Sequence, residues 1–251
     1  MSAHRGSGGE ALYDTIGTGY ASTRRPDPSI AARIHRALGD ARRVVNVGAG
    51  AGSYEPTDRQ VVAVEPSTVM LGQRPPGAAP VVQAVAEALP FPDATFDAAM
   101  ALLTMHHWTD QPGGIKELRR VASRTVMLTF DTDVVPWIVA DYLPEIVGQD
   151  KFRFPPIDAV ADWLDADIQV VPVPHDCTDG FTAAYWARPE VYLDPAARNG
   201  TSAMRTLDQA LVEARMERLR ADLESGAWDA KWGHLRDLPE LDLGYRLLVT
   251  R

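Results

Sequence analysis

Short β-branched runs alternate with segments of helical periodicity through the first two thirds of the chain. Five runs are apolar and short enough to be strands: RVVNV (43–47), QVVAVE (60–65), FDAAMALL (96–103), TVMLTF (125–130) and DIQVVPV (167–173). Between them, PSIAARIHRALG (28–39) and GGIKELRRVA (113–122) space their apolar residues as helices do, the second with Ile115, Leu118 and Val121 on one side. This alternation predicts an α/β fold whose parallel sheet is covered by helices on both faces.

The pattern changes after residue 173. FTAAYWARPEVYLD (181–194) is rich in aromatic residues, TSAMRTLDQALVEARMERLRADLESG (201–226) predicts one amphipathic helix from Ser202 to Gly226, and LDLGYRLLVT (241–250) predicts a closing strand. Residues 176–242 are therefore expected to form a helical insertion before the last strand. The small and polar residues 1–10 are expected to be disordered, and residues 11–251 to form a single domain.

Composition narrows the classes of partner. The 251 residues include 25 Lys and Arg against 34 Asp and Glu, and the formal net charge of −9 disfavours nucleic acid as a partner. No window reaches the roughly 18 uninterrupted apolar residues of a membrane span, so we expect a soluble protein. The single cysteine, Cys177, predicts a reducing, cytoplasmic compartment and excludes a multi-cysteine metal site.

The stretch VVNVGAGAGSYEP (44–56) runs from an apolar strand into a glycine loop formed by Gly48, Gly50 and Gly52. Such a loop lets backbone amides approach a polar ligand closely, although an ordinary strand-to-helix turn has the same composition. In the dinucleotide fingerprint the third glycine lies five positions after the first, whereas here it lies four after. The following strand ends at Glu65, where a carboxylate can accept both ribose hydroxyls of an adenosine.

Together with VQAVAEALPFPDATFDAAMALLTMHHWTD (82–110), the glycine loop and Glu65 resemble the class I S-adenosylmethionine-dependent methyltransferases. Within that class the resemblance is to the small-molecule group related to the ubiquinone and menaquinone methyltransferases. It extends over residues 11–131, and over the C-terminal half only in the strand pattern. The resemblance implies a Rossmann-like open sheet of seven strands, mostly parallel with an antiparallel last strand, and S-adenosylmethionine as the cofactor.

The resemblance also implies roles for individual residues. The three loop glycines would contact the aminoacid part of the cofactor, and Glu65 would hold the ribose. The residues expected around adenine and along the rest of the cofactor are Pro66, Met70, Ala86, Glu87 and Leu103. YDTIGTGYASTRRP (13–26) resembles a lid helix (11–25) in which Tyr20 and either Arg24 or Arg25 close over the methionine end; an amphipathic surface helix is the alternative.

Two positions depart from the family pattern. Asn46 stands where an aspartate is usual, and Val85 stands where an acidic residue accepts the adenine amine. Because Val85 removes a hydrogen-bond acceptor, these departures predict weaker cofactor binding or a different partner for the amine.

Histidines supply the candidate catalytic groups. His106 and His107 follow the fourth predicted strand, and because strand neighbours point to opposite faces, at most one should face the cleft, which disfavours a two-histidine metal site. His107 is one candidate. His175 in PHDCTDGF (174–181), beside Asp176, is the preferred general base, with an ordinary loop histidine as the alternative. We expect no bound metal.

The predicted function is transfer of a methyl group to an oxygen, nitrogen or carbon of a small organic molecule, with catalysis resting mainly on alignment. The alternatives are a nicotinamide-dependent oxidoreductase and a non-catalytic protein of the same fold that binds an adenosyl ligand. The insertion and the lid helix are expected to cover the cleft and select the acceptor. The insertion aromatics that could take part, or else pack in the core, are Phe181, Tyr185, Trp186, Tyr192, Trp228 and Trp232.

Overall fold

The computed structural model describes residues 24–251. The expectations for residues 1–10, for the lid helix up to residue 23 and for Tyr20 lie outside this range. The described chain forms nine strands: β1 (Arg43–Val47), β2 (Gln60–Val64), β3 (Val81–Val82), β4 (Phe96–Leu102), β5 (Ala122–Phe130), β6 (Ala166–Val170), β7 (Val173–Pro174), β8 (Glu240–Leu241) and β9 (Tyr245–Thr250).

Seven of these strands form one sheet in the order β3-β2-β1-β4-β5-β9-β6. Strands β1 to β5 pair in parallel, and β9 lies antiparallel to both β5 and β6. The predicted Rossmann-like sheet of seven mostly parallel strands with an antiparallel last strand is confirmed. From β1 the chain adds β2 and β3 on one side, and it then crosses back to add β4 and β5 on the other side. A crevice opens at the carboxyl ends of β1 and β4, where the direction of strand addition changes.

The helices of the described range are α1 (Pro28–Ala37), α2 (Thr68–Leu71), α3 (Gln111–Val121), α4 (Glu145–Arg153), α5 (Ile157–Leu164), α6 (Pro195–Arg198), α7 (Ser202–Arg205), α8 (Gln209–Glu224) and α9 (Ala227–Trp232). Helix α1 begins where Asp27 accepts hydrogen bonds from the amides of Ser29 and Ile30, with Pro28 in the first turn.

Two apolar clusters show that helices cover both faces of the sheet. Val44 of β1 belongs to one cluster with Ile34 of α1, whereas its neighbour Val45 belongs to the other with Leu118 of α3. Successive strand residues point to opposite faces, so these clusters lie on opposite sides. Ile115, Leu118 and Val121 are all buried, as their helical spacing predicts.

The C-terminal half departs from the predicted elements at two places. The run 167–173 is not one strand: β6 ends at Val170, and β7 pairs with β8 outside the main sheet. The single helix from Ser202 to Gly226 is wrong as well. Helix α7 ends at Arg205, and α8 starts afresh because the Asp208 carboxylate accepts from the amides of Ala210 and Leu211, at 2.8 and 3.3 Å. An aspartate that caps a helix competes with helix continuation through the same position.

The predicted insertion, residues 176–242, lies in the connection between β6 and β9. Two of its aromatic residues, Tyr192 and Trp228, make edge contacts with Trp137, which precedes the insertion. Trp186 is only 1% exposed, and its indole nitrogen donates to the carbonyls of Val173 and Pro174 at 3.1 and 3.2 Å. For these residues the core interpretation is the one that the packing supports.

Candidate active site

A cavity of about 220 Å³ opens at the carboxyl edge of β1, β2 and β4. Most of its lining comes from the four connections that follow the first four strands, as expected for ligand sites of open α/β sheets, and Arg24 is added from the N-terminal segment. Nine of the predicted cofactor residues line it: Arg24, Gly48, Gly50, Glu65, Pro66, Met70, Ala86, Glu87 and Leu103. The lining also includes residues that sequence reasoning missed: Ala49, Ala51, Ser53, Tyr54, Leu102, Thr104, Trp108 and Thr109.

The glycine loop is held against β2. The amides of Gly48 and Ala49 donate to the Val64 carbonyl at 2.9 and 3.0 Å. Gly48 has φ +70°, and a Cβ there would overlap the side chain of Thr104. Gly50 has φ +52°, and its Cβ would lie 3.2 Å from the Met70 terminal methyl. Only glycine adopts both the conformation and the close approach without strain.

Gly52 does not line the cavity, contrary to the role that the resemblance implies. Its φ is +95°, and a Cβ there would face the Glu55 carboxylate at 3.2 Å. In the described structure the residue therefore shapes the turn and adjoins the buried Glu55–Arg74 ion pair.

Glu65 sits where the ribose carboxylate is expected. It is 6% exposed, and its Oε2 accepts from the Gly50 amide at 2.8 Å while Oε1 accepts from the Ser67 amide at 3.0 Å. These two bonds fix the orientation of the carboxylate at the cavity wall. Each carboxylate oxygen can accept more than one hydrogen bond, so the group remains chemically suited to hydroxyl donors.

Beneath the loop lies a buried network that accounts for Asn46. The Asn46 amide donates to Glu55 Oε1 at 3.1 Å, and Glu55 pairs with Arg74 at 2.8 Å. Arg74 also donates to the Gly50 carbonyl at 3.2 Å. An aspartate at position 46 would bring two carboxylates together, whereas the neutral amide satisfies Glu55. Arg74 gives no sequence signal, because it lies 24 positions from the loop carbonyl that it holds.

Val85, the second position that departs from the family pattern, lies on the far wall of the cavity and is 45% exposed. The neighbouring Glu87 accepts hydrogen bonds from residues on the opposite side of the cavity opening. Glu87 Oε1 accepts from the Thr109 amide at 2.7 Å, from the Thr109 hydroxyl at 2.9 Å and from the Asp110 amide at 3.2 Å. Glu87 therefore ties the connection after β3 to the one after β4.

His106 and His107 lie on a 3₁₀ turn, Met105–His107, and not on the strand. The prediction that these two histidines point to opposite faces assumed that they lie on a strand, and this assumption is wrong. His107 lines the first cavity and His106 a second one, with their ring centroids 3.8 Å apart. Burial lowers the pKa of His107 to about 4 and that of His106 well below its ordinary value, and the Arg153 charge acts in the same direction. Both rings are neutral near pH 7.

The second cavity, of about 90 Å³, shares Arg24 and Leu103 with the first. Leu103 has φ +52°, a conformation uncommon for a branched residue, at the end of β4. Arg24 bonds through Nη2 to Asp179 Oδ2 at 3.1 Å, and the Tyr54 hydroxyl donates to the same oxygen at 2.8 Å. This network joins the N-terminal segment, the glycine loop and the insertion at the point where the cavities meet. Arg25, the alternative to Arg24, is exposed.

His175 is not brought to either cavity. Its backbone amide bonds to the Pro239 carbonyl at 3.0 Å beside the β7–β8 pair, and its side chain is 54% exposed and 3.9 Å from Asp176. The geometry gives no support to its predicted role as general base. Burial raises the pKa of the neighbouring Cys177 to about 12, so this thiol is not ionised near neutrality.

The described part of the chain contains neither a group of metal-ligating side chains nor a membrane-spanning helix. Among residues 24–251, no three His, Cys, Asp or Glu side chains are grouped so as to hold a metal ion. In the same range no helix combines the length and the apolar character needed to cross a bilayer.

The sheet order, the glycine loop after β1 and the carboxylate after β2 are the features of class I S-adenosylmethionine-dependent methyltransferases. Residues 45–130 match the methyltransferase domain family. A presumed methyltransferase from an antibiotic biosynthesis pathway of Anabaena variabilis is 34% identical; the match covers 91% of this chain and 99% of that chain with a TM-score of 0.85. The chain belongs to the S-adenosylmethionine-dependent methyltransferases, which sets aside the nicotinamide-dependent oxidoreductase.

More distant structures share the fold alone. Phosphoethanolamine N-methyltransferase 2 of Haemonchus contortus, in complex with phosphomonomethylethanolamine and S-adenosylhomocysteine, is 14% identical, with a TM-score of 0.52 over 96% of this chain and 56% of that chain. The [4+2]-cyclase SpnF is also 14% identical, with a TM-score of 0.59 over 96% of this chain and 94% of that chain. No match was found among curated proteins.

Proposed function

We propose that this methyltransferase acts on a small organic molecule, which binds in the second cavity and is methylated on oxygen, nitrogen or carbon. The observation that carries the proposal is the contact between two cavities at Leu103 and Arg24. The first has the glycine loop and the Glu65 carboxylate expected around a nucleoside cofactor. The second has four aromatic rings beside charged and hydroxyl side chains; the rings belong to Phe130, Phe154, Phe181 and Tyr245. A methyl donor and an acceptor need such adjoining sites.

The residues of the first cavity fit S-adenosylmethionine, the cofactor of this family. Glu65 presents a fixed carboxylate suited to the ribose hydroxyls, and the side-chain-free backbone at Gly50 leaves room for close approach. Pro66, Met70 and Ala86 line the same cavity and offer apolar surface for an adenine ring. When bound, the cofactor supplies a methyl group that is already activated by its sulfonium charge.

Catalysis by the chain would rest on alignment and exclusion of water. Leu103 and Arg24 line both cavities, and the hydrogen bonds among Arg24, Asp179 and Tyr54 fix this boundary in place. Holding two reactants in line can account for a large part of a rate enhancement, roughly 7 to 11 kcal/mol in favourable cases. His107 is neutral at pH 7 and could accept a proton, although its pKa of about 4 makes it a weak base.

Shared fold does not by itself establish methyl transfer by this chain, because one of its structural neighbours is a cyclase. The decisive experiment incubates the purified protein with S-adenosylmethionine labelled in the methyl group and a small-molecule metabolite extract. The proposal expects label in one or a few small molecules and none in added RNA or DNA. Cofactor binding without any transfer would instead favour the non-catalytic adenosyl-binding alternative. Action in the cytoplasm, expected from the single cysteine, stays a prediction.

A further inference from the structure

The second cavity contains a carboxylate without a partner. Asp150 lies on α4, and within residues 24–251 no group donates a hydrogen bond to its side chain and no cation forms an ion pair with it. Apolar residues of the β5 end and the following segment line the cavity beside it: Phe130, Pro136 and Val139. The same four residues line a smaller adjacent pocket, so Asp150 stands between two apolar spaces.

An ionised carboxylate in such surroundings is costly unless a donor or cation compensates it. Burial raises the pKa of Asp150 to about 6, against the opposing effect of Arg153. The group is therefore mostly ionised at pH 8 and becomes largely protonated at pH 5. Asp150 is only partly buried, so water can reach its carboxylate. A ligand that fills the cavity would displace that water and must supply the hydrogen bonds in its place.

The other ionisable groups around the cavity come from four segments. Arg153, on the same helix, lines the cavity but does not pair with Asp150. The charge of Arg24 is compensated by Asp179. His106 is uncharged, and Tyr245 of β9 keeps its proton because burial raises its pKa well above the ordinary value. Asp150 and Arg153 are thus the charges that a ligand can meet, and they favour opposite ligands.

The aromatic residues of the cavity favour a cationic ligand at Asp150 over an anionic ligand at Arg153. The rings that line the cavity are Phe130, Phe154, Phe181 and Tyr245, with His106 stacked on Phe154 at a centroid distance of 4.6 Å. The faces of aromatic rings attract cations and not anions, and the attraction increases where water is excluded. A neutral His106 adds no repulsion toward a cation.

We propose that the second cavity binds an aromatic or similarly apolar acceptor that carries an ammonium group, and that Asp150 selects it by accepting the ammonium hydrogen bonds. This inference rests on the proposed function, since it takes the second cavity as the acceptor site. It concerns recognition, and the methylated atom is a separate matter. Asp150 is a specificity-determining residue in this proposal.

The test uses three probes of matched size that differ in charge: 2-phenylethylamine, 2-phenylethanol and 3-phenylpropanoate. Each is titrated calorimetrically at pH 8 into the full-length protein, with and without saturating S-adenosylhomocysteine. The amine is expected to bind at least tenfold more tightly than the carboxylate. Asp150→Asn should remove most of that preference and leave the alcohol within about twofold. Asp162→Asn, on the exposed side of α5, is the matched control and should change nothing.

A pH series on the wild-type protein provides a second measurement that needs no variant. From pH 8 to pH 5 the amine should lose most of its advantage over the alcohol, because Asp150 becomes protonated while the amine stays charged. Tighter binding of the carboxylate, a preference unchanged by Asp150→Asn and by pH, or no binding of any probe would overturn the proposal. Failure of S-adenosylhomocysteine to bind would count against the proposed function instead, and the probe series without it would still test the cavity.

Discussion

The two cavities of this protein differ in which parts of the chain line them. The first is lined mostly by short segments that each follow a strand, so their positions are set by the parallel sheet. The second is lined by residues from positions as distant as 24, 150, 201 and 245, which belong to the N-terminal segment, α4, the insertion and β9. Backbone geometry therefore dominates the cofactor cavity, whereas side-chain packing dominates its neighbour. The predictions below probe this difference, beginning with the largest expected effect.

Trp186→Ala should destabilise the fold by about 3 to 5 kcal/mol, because it removes a buried indole and leaves two carbonyls without their donor. Among the insertion aromatics that the sequence offers for the acceptor site, Trp186 lines neither cavity. Urea denaturation followed by fluorescence measures the loss. A stable variant with altered acceptor use would restore the original hypothesis and contradict the core assignment.

Gly50→Val should weaken S-adenosylhomocysteine binding at least a hundredfold, about 2.7 kcal/mol, because the new side chain would enter the cofactor cavity beside Met70. Gly77→Val is a matched control. Gly77 also has positive φ, +82°, but nothing lies within 4 Å of its Cβ position, so backbone strain is introduced without blocking the site. Equal losses of binding in the two variants would mean that strain alone is responsible.

Glu65→Ala should weaken S-adenosylhomocysteine binding by about 1 to 3 kcal/mol through loss of charge-assisted hydrogen bonds. The substitution also frees the amides of Gly50 and Ser67, so part of the loss would come from a loosened loop. Glu65→Gln separates the effects, since the side-chain oxygen can still accept one amide. Titration calorimetry with circular dichroism as a control gives both numbers. Identical affinity in the wild type and both variants would remove Glu65 from the site.

Asn46→Asp should destabilise the protein by about 1 to 2 kcal/mol at pH 8, because a second carboxylate would adjoin Glu55. Glu55→Gln in the same chain should cancel the effect of Asn46→Asp, and thermal melts of the four proteins form the double-mutant cycle. Additive effects would show that the two side chains do not interact.

Much of the sheet and of the cofactor cavity was predictable from local sequence. Strand β1 and the glycine loop are contiguous in the chain, and Glu65 follows the neighbouring strand directly. Nine cofactor residues named from spacing and resemblance line the cavity. Gly52 does not line the cavity, because alternate positions in a turn do not all face the same side. The prediction of a single helix over 202–226 was wrong because the spacing of apolar residues does not reveal that Asp208 caps the start of a new helix.

What the sequence by itself determined is the parallel sheet that the apolar runs require, the glycine loop that follows β1, and the carboxylate of Glu65 that follows β2. These depend on neighbours in the chain and on a repeating pattern. Only the tertiary structure decided that Asn46 donates a hydrogen bond to Glu55, that His175 lies away from both cavities and that Asp150 lines a cavity with aromatic walls. Such relations join residues from nine to more than a hundred positions apart, and their free energies depend on burial and charge, which no local spacing encodes.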